Sequence, residues 1–380
     1  MIIKPAERLS SLQEYYFSKK LKEVADLKSK GKDIINLGIG SPDMIPDAEV
    51  ISAMIEGALE PANHGYQPYQ GIPDLKQAIV NFHKSRYDVG LGINEVLPLI
   101  GSKEGITHIS LAYLNSGDQV LIPSLGYPTY TSVTRMVQAE PVYYPLLEDK
   151  GWEPDWEFLE GLDFSRIKLL WLNYPHMPTG TKGSLDWLKK FVDLARRKQV
   201  LLCHDNPYSF IQNDHPLSIF NVDGAKEVAV ELNSLSKTFN MAGWRVGWVA
   251  GDSMILEPIL RVKSNMDSGM FKPVQLAAVK ALELGNEWFE GINRVYTRRR
   301  KLAEQFLEIA GCKIAPDQAG MFVWAKVGEG DADPLCDHLL YEKDVFVTPG
   351  HIFGEQGHQY IRISLCMKEE IIVKAIERIQ

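Results

Sequence analysis

Between about residue 95 and residue 250 the chain alternates short apolar runs with segments that read as helices. Leu97-Pro98-Leu99-Ile100, Gln119-Val120-Leu121-Ile122-Pro123, Lys168-Leu169-Leu170-Trp171-Leu172, Val200-Leu201-Leu202-Cys203 and Val228-Ala229-Val230-Glu231-Leu232 are such runs. A strand covered by helices on both faces has no solvent side, so it reads as a continuous apolar stretch rather than an alternating one. The pattern therefore predicts an α/β fold built on a mostly parallel sheet covered on both faces. Met321–Trp324, Val345–Thr348 and the alternating Tyr360–Ser364 predict further strands in a second, smaller unit. Residues 9–30 and 286–310 show helical spacing, and Arg298, Arg299 and Arg300 in the second segment are expected on a solvated face.

The apolar pattern gives way at Ser234-Leu235-Ser236-Lys237, which is followed by Gly243, Arg245 and Gly247. A lysine withdrawn from water has a lowered pKa and becomes an amine nucleophile able to form a Schiff base with an aldehyde. The hydroxyls of Ser234 and Ser236 and the fork of Arg245 complement a dianionic phosphate, and the two glycines would let backbone approach it. An aldehyde and a phosphate on one molecule describe pyridoxal 5'-phosphate (PLP). A lysine taken alone would instead snorkel to the surface. Gly101-Ser102-Lys103-Glu104 turns a strand into a helix, where free N–H groups and the helix dipole suit a phosphate. Asp205 ends a buried strand, a position that an ordinary helix cap could also occupy. Arg362 points inward from its strand, and a buried arginine needs an anionic partner.

The string S-x-S-K-x-x-x-x-x-G-x-R-x-G resembles the lysine segment of the class I/II aminotransferases, PLP enzymes of fold type I. Gly101-Ser102-Lys103-Glu104-Gly105-Ile106 and Lys263–Gly269 are similar to the LL-diaminopimelate aminotransferase branch. The resemblance implies a large domain with a mostly parallel seven-stranded sheet between helices and a smaller α+β domain. It divides the chain into an N-terminal arm with part of the small domain (1–42), a PLP-binding domain (43–280) and a small C-terminal domain (281–380). It implies that Lys237 carries the cofactor, that Asp205 keeps the pyridine nitrogen protonated and that Tyr208 contacts the phenolic oxygen. Tyr127 would lie against the ring, Ser102, Lys103, Ser234 and Arg245 would hold the phosphate, Gly40 would approach the substrate and Arg362 would grip its α-carboxylate. Tyr66 would reach the phosphate of the neighbouring subunit, which implies a homodimer.

One stretch departs from the family. Asn173-Tyr174-Pro175-His176-Met177-Pro178-Thr179-Gly180 places Met177 where the family's N-P-T-G has an asparagine on the phenolic oxygen. A thioether cannot replace a hydrogen bond of about 1.5–3 kcal/mol to a charged oxygen, so the pKa of the lysine–cofactor imine should rise. Asn173 and His176 are the candidates to fill the gap.

The implied activity is exchange of an amino group between an L-amino acid and a 2-oxo acid. The alternatives are a carbon–sulfur β-lyase on the same fold and a non-catalytic PLP-sensing module. A formal charge of −8 argues against nucleic-acid and anionic-membrane partners. No apolar run reaches the roughly 18 residues of a membrane span, which leads to a cytoplasmic expectation. Cys203, Cys312, Cys336 and Cys366 are far apart and lack C-x-x-C spacing, so no metal site is expected. Tyr15, Tyr16 and His351 are the candidates for contact with the substrate side chain.

Overall fold

The structure, a computed structural model, describes residues 3–10 and 16–380. In chain order the first elements are α1 (Tyr16–Ser29), β1 (Val96–Leu99), α2 (Ser102–Tyr113), β2 (Gln119–Pro123), α3 (Pro128–Met136) and β3 (Glu140–Tyr144). β4 (Ile167–Asn173), α4 (Leu185–Lys198), β5 (Leu201–Asp205), β6 (Ala229–Ser234) and β7 (Gly247–Gly251) complete the sheet unit. The seven strands lie in the order β1-β7-β6-β5-β4-β2-β3. β7 is antiparallel to both its neighbours, and every other pairing is parallel.

The apolar runs become strands because both sheet faces are covered. β4 shows the arrangement: Leu170 and Leu172 pack towards Phe191 and Leu194 of α4, whereas Leu169 and Trp171 join Ile106 and Ile109 of α2 on the other face. Only Lys168 of that strand is exposed. With period-2 geometry, alternate apolar side chains supply the two layers of core.

A second sheet is antiparallel and small, formed by β8 (Lys313–Ile314), β9 (Phe322–Lys326), β10 (Thr348–Pro349) and β11 (Tyr360–Ser364) in the order β8-β9-β11-β10. β11 is buried along its whole length, not half-buried as its alternation predicts. Ile35–Asn36 pairs in parallel with Val345–Phe346, which ties the N-terminal segment to this unit. α5 (Ser253–Met266) packs on the large sheet beside α2, and the long α6 (Asn286–Ile309) lies against β8 and β9.

The expected solvated face of three arginines on α6 is corrected. Consecutive helix residues are turned by about 100°, so three in a row cannot share a face. Arg298 pairs with Glu369 at the surface, Arg299 is buried in a two-pronged pair with Asp43 (2.6 and 2.9 Å), and Arg300 donates to the carbonyls of Gly320 and Phe322. All four cysteines are buried and free. Among the described residues no helix is long and apolar enough to cross a membrane.

Gly247 allows β7 to lie close to the turn after β1. A Cβ there would stand 2.7 Å from the carbonyl oxygen of Asn233 and 2.7 Å from the amide nitrogen of Ser102. Both are backbone atoms, one in β6 and one at the start of α2, and cannot swing aside. Gly247→Ala should therefore cost about 1–3 kcal/mol, seen as a lower thermal midpoint and weaker cofactor retention in the same sample.

Candidate active site

Because β7 alone runs against the others, the carboxyl ends of β1, β2, β4, β5 and β6 share one edge of the sheet, and β7 begins there. Ligands of open α/β sheets sit in the crevice outside this edge. A cavity of about 570 Å³ opens there, lined by Gly40, Ser102, Lys103, Tyr127, Asn173, Asp205, Tyr208, Ser234, Lys237, Arg245 and Arg362. These residues come from separate stretches of the chain, and the topology brings them together. Tyr66 does not line it; this side chain is 94% exposed at the molecular surface.

One end of the cavity is built for an anion. The N-terminus of α2 points its first amides there from Gly101, whose φ of 79° is the left-handed conformation that glycine adopts without strain. A Cβ on Gly101 would lie 2.0 Å from Nη2 of Arg245, so a bare backbone is what lets the guanidinium in. Ser234 Oγ donates to Ser236 Oγ (2.9 Å), and Arg245 Nη1 reaches Ser236 Oγ (3.3 Å) and the Ala242 carbonyl (2.9 Å). The space comes from Gly101 and Gly247. Gly243, expected from the sequence to help, would meet nothing within 4 Å if it carried a Cβ.

Behind this turn Glu104 accepts the Ile100 amide (2.5 Å) and approaches His108 (3.0 Å), near Asp267. The atoms of Glu104, His108 and Asp267 lie close enough together to suit a metal. The buried Lys263 ammonium, 2.8 Å from Asp267 and 3.5 Å from Glu104, already supplies the cation there.

The middle of the cavity holds Lys237 and Asp205. Lys237 follows β6 in a single helical turn, and its Nζ donates to the Gly40 carbonyl at 2.7 Å. Burial pushes its pKa down, and the guanidinium groups of Arg362 and Arg245 push the same way. Asp205, at the end of β5, accepts a hydrogen bond on Oδ2 from the Tyr130 hydroxyl (2.7 Å). Its Oδ1 is buried without a hydrogen-bond partner. Burial raises the carboxyl to about 6, while the Tyr130 hydrogen bond pulls it down. A buried acceptor with an open valence facing a cavity suits a protonated ring nitrogen. Together with the amine and the anion cradle, it fits pyridoxal 5'-phosphate.

Tyr130 is the residue that sequence reasoning missed. Its ring stacks on Trp171 (4.9 Å, 9° between planes), which fixes the hydroxyl on Asp205. The signal was the spacing in Gly126-Tyr127-Pro128-Thr129-Tyr130, since residues three apart at a helix start share a face. Asp205 is charged above about pH 6 and neutral below it, so cofactor affinity should fall as pH drops through that point. In Tyr130→Phe the loss of the donor moves the carboxyl upward and the fall begins at higher pH. Dissociation constants measured from pH 5 to 8 check both, and an unmoved midpoint would refute the assignment.

The methionine loop is arranged differently from expectation. Asn173 does line the cavity, but its amide is engaged: Nδ2 donates to the Asp205 carbonyl (2.6 Å) and Oδ1 accepts the Met177 amide (2.8 Å). His176 is buried elsewhere, bonded to Thr179 and to the Leu125 carbonyl, and burial lowers its pKa to about 4. His176 has both ring nitrogens engaged, whereas Asn173 keeps its second Nδ2 hydrogen. Met177 turns its sulfur to Arg362, 3.3 Å from Nη1.

Arg362 is buried, with Nη2 on the Gly38 carbonyl (3.0 Å) and its guanidinium carbon 3.8 Å from the Phe322 ring centre and 4.6 Å from that of Phe353. Tyr208 is held edge-on to Phe322, and burial raises its hydroxyl far above the ordinary range. Of the candidates for the substrate side chain, Tyr15 lies outside the described residues. Tyr16 packs edge-on against His351, which pairs with Asp333 (3.0 Å), and neither of them lines the cavity.

The chain matches the family model described as aminotransferase class I and II over residues 32–379. It is 42% identical over 378 residues to the LL-diaminopimelate aminotransferase of Natranaerobius thermophilus, covering 98% of both chains. It is 37% identical to the enzyme of that name from Halothermothrix orenii, covering 99% of this chain and 97% of the other. Its fold superposes on substrate-bound BacF from Bacillus subtilis with a TM-score of 0.93 at 34% identity, covering 100% of this chain and 97% of that one.

Proposed function

We propose, from the premise that this chain belongs to the class I and II aminotransferases and is a PLP-dependent aminotransferase, that Lys237, Asp205, Tyr208, Arg245 and Arg362 are its working residues. The observation that carries this assignment is the convergence on one cavity of a desolvated lysine, a buried aspartate oxygen without a partner, and a phosphate-shaped cradle. Bound there, the cofactor supplies an aldehyde and an electron-withdrawing pyridine ring.

Ser102, Lys103, Ser234 and Arg245 would hold the phosphate, with the α2 amides. Asp205 Oδ1 would meet the ring nitrogen, with Tyr130 keeping the carboxylate oriented. Tyr127 would lie against the ring, and Tyr208 would donate to the phenolic oxygen. Asn173 supports this set through the Asp205 carbonyl. Arg362 binds the α-carboxylate of an L-amino acid beside Gly40, and so fixes which Cα bond can break. Lys237 Nζ, kept partly unprotonated by desolvation, takes the Cα proton and returns it as general base and acid.

The exposed Tyr66 supports a homodimer in which it completes the neighbour's phosphate site; mixing Tyr66→Phe with Lys237→Ala chains would then regenerate one intact site per hybrid dimer. Four separate buried thiols support a cytoplasmic enzyme. LL-diaminopimelate is the donor to which the curated relatives' name points.

A single turnover with an amino donor tests the reading. Stoichiometric conversion of the cofactor to its amine form without ammonia supports transfer. Release of ammonia with recovery of the aldehyde form would overturn it in favour of elimination.

A further inference from the structure

From the hydrogen-bond partners of a buried pair outside the cavity we infer that His204 and Glu231 position Asp205 and hold its carboxyl charged: His204 is an imidazolium locked to the Glu231 carboxylate on the opposite face of β5. The inference rests on the proposed role of Asp205 at the ring nitrogen. It adds two positioning residues that do not line the cavity.

His204 precedes Asp205 on β5, so the two side chains leave opposite faces of the sheet. His204 and Glu231 are 1% and 0% exposed and stand directly opposite in the β5–β6 register. His204 Nδ1 lies 2.9 Å from Glu231 Oε2, and Nε2 lies 3.0 Å from the Tyr174 carbonyl oxygen. A carbonyl can only accept, so Nε2 carries a proton. The Glu231 carboxyl also receives the Ile219 amide on Oε2 (2.8 Å) and the Asn233 side-chain amide on Oε1 (2.9 Å). Donors of this kind favour the ionised carboxyl, which makes it an acceptor towards Nδ1 as well. Burial by itself would raise the Glu231 carboxyl, yet the His204 hydrogen bond and charge bring it below its ordinary value. A ring with an acceptor at each nitrogen holds both protons and is a cation.

The pair ties together the ends of three strands. Tyr174 directly follows β4, and the two partners belong to β5 and β6, so the staple joins the strands that end in Asn173, Asp205 and the turn carrying Lys237. The imidazolium is also the chain neighbour of Asp205. Burial raises the Asp205 carboxyl, and the Tyr130 hydrogen bond and the His204 charge oppose it. Other titratable groups nearby do not supply that charge. Tyr130 of α3, Tyr208, Tyr174 and Tyr87 of the helix Pro73–Tyr87 are buried, and burial pushes their hydroxyls far above the ordinary range. His83 of the same helix accepts the Trp248 indole N–H on Nε2 (3.0 Å), and burial lowers it to about 4. Lys237 shares the cavity with Asp205, and burial lowers its pKa too.

The test is the cofactor dissociation constant from pH 5 to 8 in the variant that combines His204→Gln with Glu231→Gln. Removing both charges together leaves no unpaired charge in the interior. In the wild type affinity falls as pH drops through the Asp205 midpoint at about 6. Without the imidazolium the carboxyl takes its proton at higher pH, and the midpoint should rise by about half a pH unit or more. Glu231→Gln alone should move it the same way, because the buried ring then gives up its Nδ1 proton; loss of an anion beside an unchanged ring would move it down. In Asp205→Asn that midpoint should be absent. Neutron diffraction of the PLP-loaded wild type at neutral pH should show deuterium on both ring nitrogens of His204, a readout that needs no variant to fold. A ring nitrogen without deuterium, or an unmoved midpoint in the folded double variant, would overturn the inference while leaving the role of Asp205 intact. A wild-type curve matching that of Asp205→Asn would overturn the Asp205 assignment and the inference with it.

Discussion

Replacing Lys237 with alanine should leave a protein that still binds the cofactor through the anion cradle and Asp205 but no longer turns over. The cradle is formed by Ser234, Ser236, Arg245 and the α2 amides, none of which depends on the lysine side chain. What is lost is the only amine in the middle of the cavity among the described residues, held 2.7 Å from the Gly40 carbonyl. Proton transfer by a positioned side chain contributes on the order of 10²–10⁴ in rate, so kcat should fall by at least that factor. Borohydride treatment followed by mass spectrometry gives a second readout: the wild type should retain cofactor covalently on Lys237 and the variant should not. A variant of near-normal rate, or wild-type label on another residue, would refute the assignment.

The second large effect is expected at Arg362. Removing one partner of a desolvated, hydrogen-bonded charge pair costs about 2–5 kcal/mol, roughly thirtyfold to several thousandfold in kcat/KM. Arg362→Lys keeps the charge but loses the planar fork, and its ammonium cannot stack on the Phe322 and Phe353 rings as a guanidinium can. It should therefore fail to restore the wild-type value. Steady-state kinetics with an L-amino acid and with the corresponding amine lacking the carboxyl group separate the roles. The variant should lose rate on the amino acid and little on the amine, whereas equal losses on both would indicate damage to the scaffold.

The sheet was legible because burial on both faces leaves a direct imprint on composition: β4 is apolar apart from Lys168 and Asn173, and β2 apart from Gln119. Lys237, Asp205 and Arg362 were legible because a charged residue within such a run is expensive unless it has work or a partner. The arrangement around them was harder to read. Asn173 stands as a candidate to fill the gap at Met177, but only the folded loop shows that the Asp205 carbonyl and the Met177 amide fix the orientation of its amide. Tyr130 was passed over because a tyrosine in a helix reads as core, which it also is; its hydroxyl acquires meaning only when α3 is laid across the end of β5. Arg299 was misread for the complementary reason, since its partner Asp43 lies 256 positions away in the chain.

The reversed strand β7 couples two properties that could have been separate. The connection between β6 and β7, residues 235–246 with a helical turn at Leu235–Thr238, delivers both Lys237 and Arg245 to the same edge. On the proposed roles, covalent capture and ionic anchorage would both be borne by one loop, so a ligand seated there would tie together the ends of neighbouring strands. Cofactor loading should accordingly slow amide hydrogen exchange in residues 232–247 more than anywhere else in the sheet.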